Sequence, residues 1–191
     1  MVKSAFSILA VAAVAGIAVV PAAASAATSA PAVLAHSFSP DGNDPNTTVT
    51  FTVSSGALSM TAPDSVDLGT NAPGTTISGS VGTVVVTDDR ALLSASWIVT
   101  ASSTDWTTGA GTPAETIPAG DVGYDPGSIT TTGTITAVGT PITLSHTPQP
   151  VVTGTAGVGD NTATWDPTLS VAVPASAVVG TYTGILTQSV S

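Results

Sequence analysis

The chain has 191 residues, of which 42% are apolar and 7% charged, with 12 acidic side chains, two basic ones and no cysteine. Nucleic acids and anionic lipids are bound largely through Lys and Arg, so this composition argues against both as partners. The high apolar content predicts a folded domain, and without cysteine its stability has to come from a hydrophobic core.

The first 26 residues have the layout of a cleavable signal peptide. Lys3 precedes an uncharged apolar run over residues 4–20, and an Ala-Ser-Ala site follows at 24–26. An uncleaved membrane anchor is the less favoured alternative, because it needs about 20 apolar residues and this run breaks at Pro21. The pattern therefore predicts a secreted, extracellular protein with no membrane span after cleavage.

Residues 27–46 mix Ala, Ser, Pro and Asp without helical or strand periodicity, which predicts a flexible lead into the fold. Loss of Lys3 with the signal peptide changes the formal net charge from −10 to −11 and leaves Arg90 as the only basic residue besides histidine. The mature chain is therefore strongly acidic.

Residues 47–191 consist of short runs of Val, Thr and Ile separated by Gly, Pro, Asp and Asn, a pattern typical of strands and turns in one all-β domain. Three runs alternate with a period of two, which predicts core-facing side chains. These are Val49, Phe51 and Val53; Ala95, Trp97, Val99 and Ala101; and Trp165, Leu169, Val171 and Val173. The opposite faces carry Thr and Ser with few charges, so self-association through strand edges is possible.

The C-terminal part predicts the architecture. One strand ends at Val173-Pro174, residues 175–180 form a turn, and residues 181–190 form a last strand with Tyr182 and Gln188 on one face. A Tyr after such a turn is typical of immunoglobulin-like sandwiches, where its hydroxyl bonds back to the turn. We therefore expect an immunoglobulin-like two-sheet antiparallel β-sandwich.

The residues that usually carry catalysis are scarce. The mature chain has no Cys or Lys, and Glu115 is its only Glu, so nucleophilic thiols, Schiff bases and paired Glu are absent. No GxSxG motif accompanies His36 or His146, and both are expected at the surface. The sequence predicts a noncatalytic protein without a cofactor.

Metal and phosphate sites have weak signals. Asp41, Asn43 and Asp44 could offer oxygens to calcium, and Asp88-Asp89 is a second weak candidate, but no EF-hand Glu follows and such residues also form ordinary turns. We therefore expect no metal site. The glycine-rich run over residues 154–160 lacks the Lys and the helix of a phosphate loop and is predicted to be a loop between strands.

The three tryptophans, Trp97, Trp106 and Trp165, are the candidate ligand-binding residues. Trp97 and Trp165 have core-facing phases, and a buried position at the centre of a sandwich is the favoured interpretation for both. Trp106 lies among turn residues, and its ring either stacks on a sugar or covers the edge of the core. Asp88 and Arg90 precede the Trp97 strand and are expected to form a structural ion pair.

Two segments carry a resemblance to a known family: TVVVTDDRALLSASWIVTASSTDWTTGAG, and later NTATWDPTLSVAVPASAVVGTYTGILTQSV. The Asp88-x-Arg90 turn before Trp97-Ile98-Val99 and the closing ATW…VP…GTYTG block resemble the WxL domains of Gram-positive surface proteins, in their actinobacterial form. The resemblance covers about residues 47–190. It implies secretion, noncovalent attachment to the cell wall and contact with peptidoglycan or other surface proteins.

The final strand departs from that family. Gln188-Ser189-Val190 stands where the family has its second Trp-x-Leu motif. Because Gln188 shares a phase with Tyr182, either Gln188 has a polar role or this end of the strand faces solvent.

Overall fold

The computed structural model describes residues 47–191, and the chain divides between Thr52 and Val53. The predicted signal peptide and lead lie outside the described residues. Within the described range the strands are β1 Leu58–Thr61, β2 Thr76–Ser80, β3 Val84–Ser103, β4 Trp106–Thr107, β5 Thr116–Ile117, β6 Val122–Asp125, β7 Ile129–Thr132, β8 Thr136–Gly139, β9 Ile142–Thr143, β10 Gln149–Trp165, β11 Thr168–Ala172 and β12 Leu186–Val190. Two short 3-10 helices, Pro113–Glu115 and Ala119–Asp121, flank β5.

The strands form antiparallel sheets. In the six-stranded sheet, β3 and β10 pair with each other along most of their length. The other edge of β3 pairs with β1 and β12, and the other edge of β10 pairs with β7 and β8. A four-stranded sheet has the order β2-β11-β6-β9, and β4 pairs with β5.

A single hydrophobic cluster joins the two larger sheets. Val86 and Val99 of β3 belong to the same buried cluster as Tyr124 of β6 and Leu169 of β11. Both sheets therefore bury one face against the other, as layered β architectures require. The prediction of an all-β, sandwich-like fold is confirmed, and its immunoglobulin-like arrangement stays a prediction.

The alternation in β3 places its side chains as predicted. Ala95, Trp97, Val99 and Ala101 are each at most 2% exposed. The intervening positions from Ser94 to Ser102 are exposed or half-buried. This half of β3 therefore has one core face and one outer face of mostly short or polar side chains.

The glycine-rich run at residues 154–160 is part of β10, so its prediction as a loop is wrong. Register shifts interrupt the pairing with β3 around Gly157 and Gly159, and Ala156 and Gly159 have positive φ angles of 59° and 67°. These irregularities bend the strand without ending it. A glycine-rich sequence therefore marks bulges in a long strand here.

Residues 48–53 form no strand, which contradicts the prediction of a first core strand. Val49, Phe51 and Val53 are 81%, 84% and 75% exposed. Alternation alone gives a segment the pattern of a strand, but a strand also needs a neighbouring backbone to complete its hydrogen bonds.

The predicted run from Trp165 to Val173 is divided between two sheets. Trp165 ends β10, and β11 begins at Thr168 after Asp166-Pro167. Trp165, Leu169 and Val171 are buried as predicted, whereas Val173 lies beyond β11 and is half-buried. Because a proline cannot donate a backbone hydrogen bond to a neighbouring strand, Pro167 is compatible with the end of one strand and the change to the other sheet.

The last strand is shorter than predicted. β12 covers Leu186–Val190, and before it only an isolated bridge joins Thr183 to Thr107. Burial still alternates as expected, because Tyr182 and Gln188 are half-buried and Thr181 and Thr187 are exposed.

Candidate functional site

Trp97 and Trp165 are core residues. Each is 2% exposed, and the ring of Trp97 packs over the backbone of Gly154 in β10, where a Cβ atom would collide with it. Neither ring offers a face to a ligand. The tentative assignment of ligand contact to these two residues is therefore not supported, and the core interpretation accounts for both.

A buried hydrogen-bond chain joins the two large sheets. The Trp165 indole Nε1 donates to the Tyr124 hydroxyl at 3.2 Å, and that hydroxyl donates to Gln188 Oε1 at 2.8 Å. Burial raises the pKa of Tyr124 to about 12, so the phenol stays a neutral donor. Gln188 thus has the polar role that was one of its two predicted alternatives.

Trp106 lies at the margin of the core. Its ring is half-buried and packs on the backbone of Gly184, and its Nε1 donates to Ser103 Oγ at 3.0 Å. One ring face is therefore covered by the chain itself. Of the two predicted alternatives, the structure agrees with a lid on the core edge.

Asp88 and Arg90 form the expected ion pair. Arg90 Nε and Nη2 each donate to a different Asp88 carboxylate oxygen at 2.8 Å, and Nη2 also donates to the Ser96 carbonyl at 2.9 Å. The hydrogen bond from Arg90 lowers the pKa of the buried Asp88 carboxyl, although burial opposes the shift. Because both oxygens are bound by the guanidinium, Asp88 is a poor calcium ligand. Asp41, Asn43 and Asp44 lie outside the described residues.

Tyr182 bonds back to the preceding turn as predicted. Its hydroxyl lies 3.0 Å from the Val178 carbonyl oxygen and 3.1 Å from that of Ala114. The residue thus connects the turn before β12 to the short helix before β5. This is a structural role.

A shallow surface cleft of about 440 Å³ lies close to Trp106, whose indole bonds to one of its lining residues, Ser103. Its lining consists of Ser102, Ser103, Thr104, Asp105, His146 and Thr187. Asp105 Oδ1 accepts from the Ala119 backbone N–H at 2.9 Å and lies 3.0 Å from His146 Nε2. The bond from Ala119, and secondarily His146, lowers the pKa of Asp105.

The hydrogen bonds of the Ser, His and Asp residues in this cleft can be compared with those of a serine hydrolase. The Ser103 hydroxyl donates to the Thr104 carbonyl and accepts from Trp106, while the His146 ring faces Asp105. Ser103, His146 and Asp105 therefore do not form the hydrogen-bonded relay of a serine hydrolase. His146 is 68% exposed at its side chain, in agreement with its predicted surface position.

Sequence reasoning did not identify this cleft. Asp105 and His146 are 41 residues apart on separate connections, and each has ordinary neighbours in sequence. Only the pairing of β12 with β3 brings Thr187 beside Ser102 to complete the lining. The one sequence signal for the cleft was that Asp105 is adjacent to Trp106, which was expected near the surface.

Fold and site together define a sandwich-like all-β protein with a shallow surface cleft. Comparison with protein families, curated proteins and solved structures finds no match. Residues 47–191 contain no helix long and apolar enough to cross a membrane. In the same range no three potential metal-ligating side chains come together.

Proposed function

We propose that the chain is a secreted, noncatalytic cell-surface protein that associates noncovalently with the bacterial cell wall, as its resemblance to WxL domains implies. The observation that carries the proposal is the cleft beside Trp106. Hydroxyl groups, one carboxylate and one imidazole converge there, and such groups form hydrogen bonds with sugars and peptides. Peptidoglycan contains both chemistries.

Under this proposal, only some of the candidate residues are in a position to contact the wall. Trp97 and Trp165 are enclosed, and the Ser103 hydroxyl is already bound within the protein. The proposed contacts therefore fall to Asp105, His146, Ser102 and Thr187. The acidic chain disfavours anionic wall polymers, and neutral glycan or peptide is the preferred ligand.

Cosedimentation of residues 27–191 with purified peptidoglycan at physiological salt tests the proposal. We expect the protein to pellet with the wall and Thr187→Arg, which fills the cleft, to weaken binding at least tenfold. Ser189→Arg is the matched control, since it adds the same charge at an exposed position two residues further along β12. Failure of the unchanged protein to pellet overturns the function. Equal effects of the two variants would overturn the assignment of the cleft alone.

A second candidate function is structural assembly at the cell surface. The observation that favours it is the edge formed by β7 and β8, whose sequence ITTTGTITAVG has no charged residue and no proline. Natural proteins usually protect exposed edges with charges, prolines or covering segments. An unprotected edge is a surface on which further strands can pair.

A further inference from the structure

Residues 48–53, TVTFTV, have every local property of a strand, but they pair with no strand among residues 47–191. Thr, Val and Phe favour extended backbone, and the apolar side chains alternate with threonine. Yet Val49, Phe51 and Val53 are at least 75% exposed, and the segment forms no strand. Three large, exposed apolar side chains in so short a segment are unusual for a secreted protein, because burying them is favourable.

The edge formed by β7 and β8 has the complementary property, because its outer side has backbone groups available for an additional strand. Both strands pair with β10 along one side, end to end, at Thr162–Trp165 and Val152–Thr155. On their other side, no backbone hydrogen bond to another described residue occurs. This edge therefore presents backbone donors and acceptors over most of residues 129–139.

Other edges of the described sheets are shorter or shielded. β9 has two residues and β2 has five, and Arg90 donates to the Ser96 carbonyl in the middle of β3. β1 and β12 have four and five residues. The β7–β8 edge is thus the longest one without protection.

The side chains and the charge of the β7–β8 edge are compatible with those of residues 48–53. Ile129 and Ala137 lie half-buried at the margin of the core, and Val138 is 60% exposed, so a strand added at this edge would meet apolar groups. No Asp, Glu, Lys or Arg occurs between Asp125 and Asp160, and none occurs over residues 47–63. Two acidic copies can therefore approach through these segments with little local repulsion.

We propose that residues 48–53 of one copy add to the β7–β8 edge of a second copy as an extra strand. The inference rests on the second candidate function, self-association, and is independent of wall binding. Because the donating segment and the accepting edge are different surfaces, the contact is head-to-tail and leads to a closed ring or an open filament.

Sedimentation velocity of residues 27–191 over a concentration series provides the first test. We expect oligomers that grow with concentration, and a donor variant, Val49→Lys with Phe51→Lys, that is monomeric. An acceptor variant, Thr136→Lys with Val138→Lys, should also be monomeric, because lysines on an edge strand oppose pairing. Val158→Lys is the matched control, since this β10 valine is 48% exposed but is not on the edge strand.

Mixing the two variants gives the decisive result. The donor variant keeps its edge and the acceptor variant keeps its segment, so an equimolar mixture should form a heterodimer that cannot extend. A mixture that stays monomeric, or a variant that oligomerises alone, overturns the strand addition. If one of the variants oligomerises alone, the protein self-associates through a different surface. If the unchanged protein is monomeric up to roughly 1 mM, both the strand addition and the second candidate function are overturned.

Discussion

The Tyr124 hydroxyl connects three strands with a single polar group. It accepts from Trp165 of β10 and donates to Gln188 of β12, while Tyr124 itself belongs to β6 in the other sheet. Removing it would leave the buried Trp165 indole N–H and the half-buried Gln188 amide oxygen without this partner, which is more unfavourable than the loss of one exposed hydrogen bond.

Tyr124→Phe is therefore expected to lower the free energy of unfolding by about 1–3 kcal/mol. Urea unfolding, followed by tryptophan fluorescence, measures this change. Ser189→Ala, an exposed neighbour of Gln188 in the same strand, should change stability by less than about 0.5 kcal/mol. Equal midpoints for both variants would show that the hydrogen-bond chain contributes nothing.

Asp88 makes stability depend on acid pH. Its pKa in the folded chain is lowered from the ordinary 3.8 by Arg90. Its stabilising contribution is therefore present above about pH 4 and is lost as the pH falls through the folded pKa.

Asp88→Asn should be less stable than the unchanged protein by about 1–3 kcal/mol at pH 7, because a hydrogen-bonded charge pair is lost. The difference should shrink as the pH falls from about 5 to about 2. Unfolding curves of both proteins across this range check the prediction, and a gap that stays constant with pH would contradict it.

Some individual residues were predictable and others were not. The alternation in β3 was sufficient to place Trp97 in the core, since the period of two fixes which side chains share a face. The role of Gln188 was not predictable, because its partner Tyr124 is 64 residues away in another sheet. Asn161 was missed for the same reason: it accepts from the backbone of Thr134 and Ile135 across the β7–β8 turn.

At the scale of elements, the two long strands depend on close backbone contacts. Gly154 of β10 faces the ring of Trp97 in β3, and a methyl group there would overlap the indole. Glycine at this position therefore serves packing rather than flexibility, and overpacking of this kind destabilises a core.

Gly154→Ala is expected to destabilise the fold by about 1–3 kcal/mol. Gly120→Ala is the matched control, because Gly120 has no positive φ and its added Cβ would meet no atom within 4 Å. Thermal unfolding of the two variants gives the comparison. A Gly154→Ala protein as stable as the control would mean that β10 moves freely away from Trp97.

Element boundaries were least predictable where pairing decides them. The alternation of residues 48–53 was correct as a pattern and wrong as a strand, because no pattern supplies a neighbouring backbone. The run at residues 154–160 was predicted as a loop from its glycines, yet the neighbouring β3 keeps it extended through its bulges. Local sequence thus encoded the preference for extended structure, and long-range pairing decided where it was realised.

At the scale of the whole molecule, charge governs any encounter with the wall. The full chain has a formal charge of −10 and one cation, Arg90, within its described residues, and Arg90 is bound to Asp88. Long-range forces therefore oppose approach to anionic polymers, and the proposed contacts in the cleft act only at short range.

Wall binding should accordingly strengthen as salt rises from about 0.01 M to about 0.15 M, because the screening length falls from about 30 Å to about 8 Å. Cosedimentation with intact walls measures this, and peptidoglycan stripped of anionic polymers should show little change. Binding that weakens with salt on both materials would indicate that attractive charge contacts dominate, and would contradict this prediction.

The pairing of β12 with β3 also has a consequence for how the chain acquires its fold. Residues 99–103 of β3 receive their outer partner only from residues 186–190, and Tyr124 receives its acceptor only from Gln188. The six-stranded sheet therefore stays incomplete until residues 186–190 have joined β3. Contacts between such distant segments form slowly, so the pairing of β12 with β3 is expected to be a late step of folding.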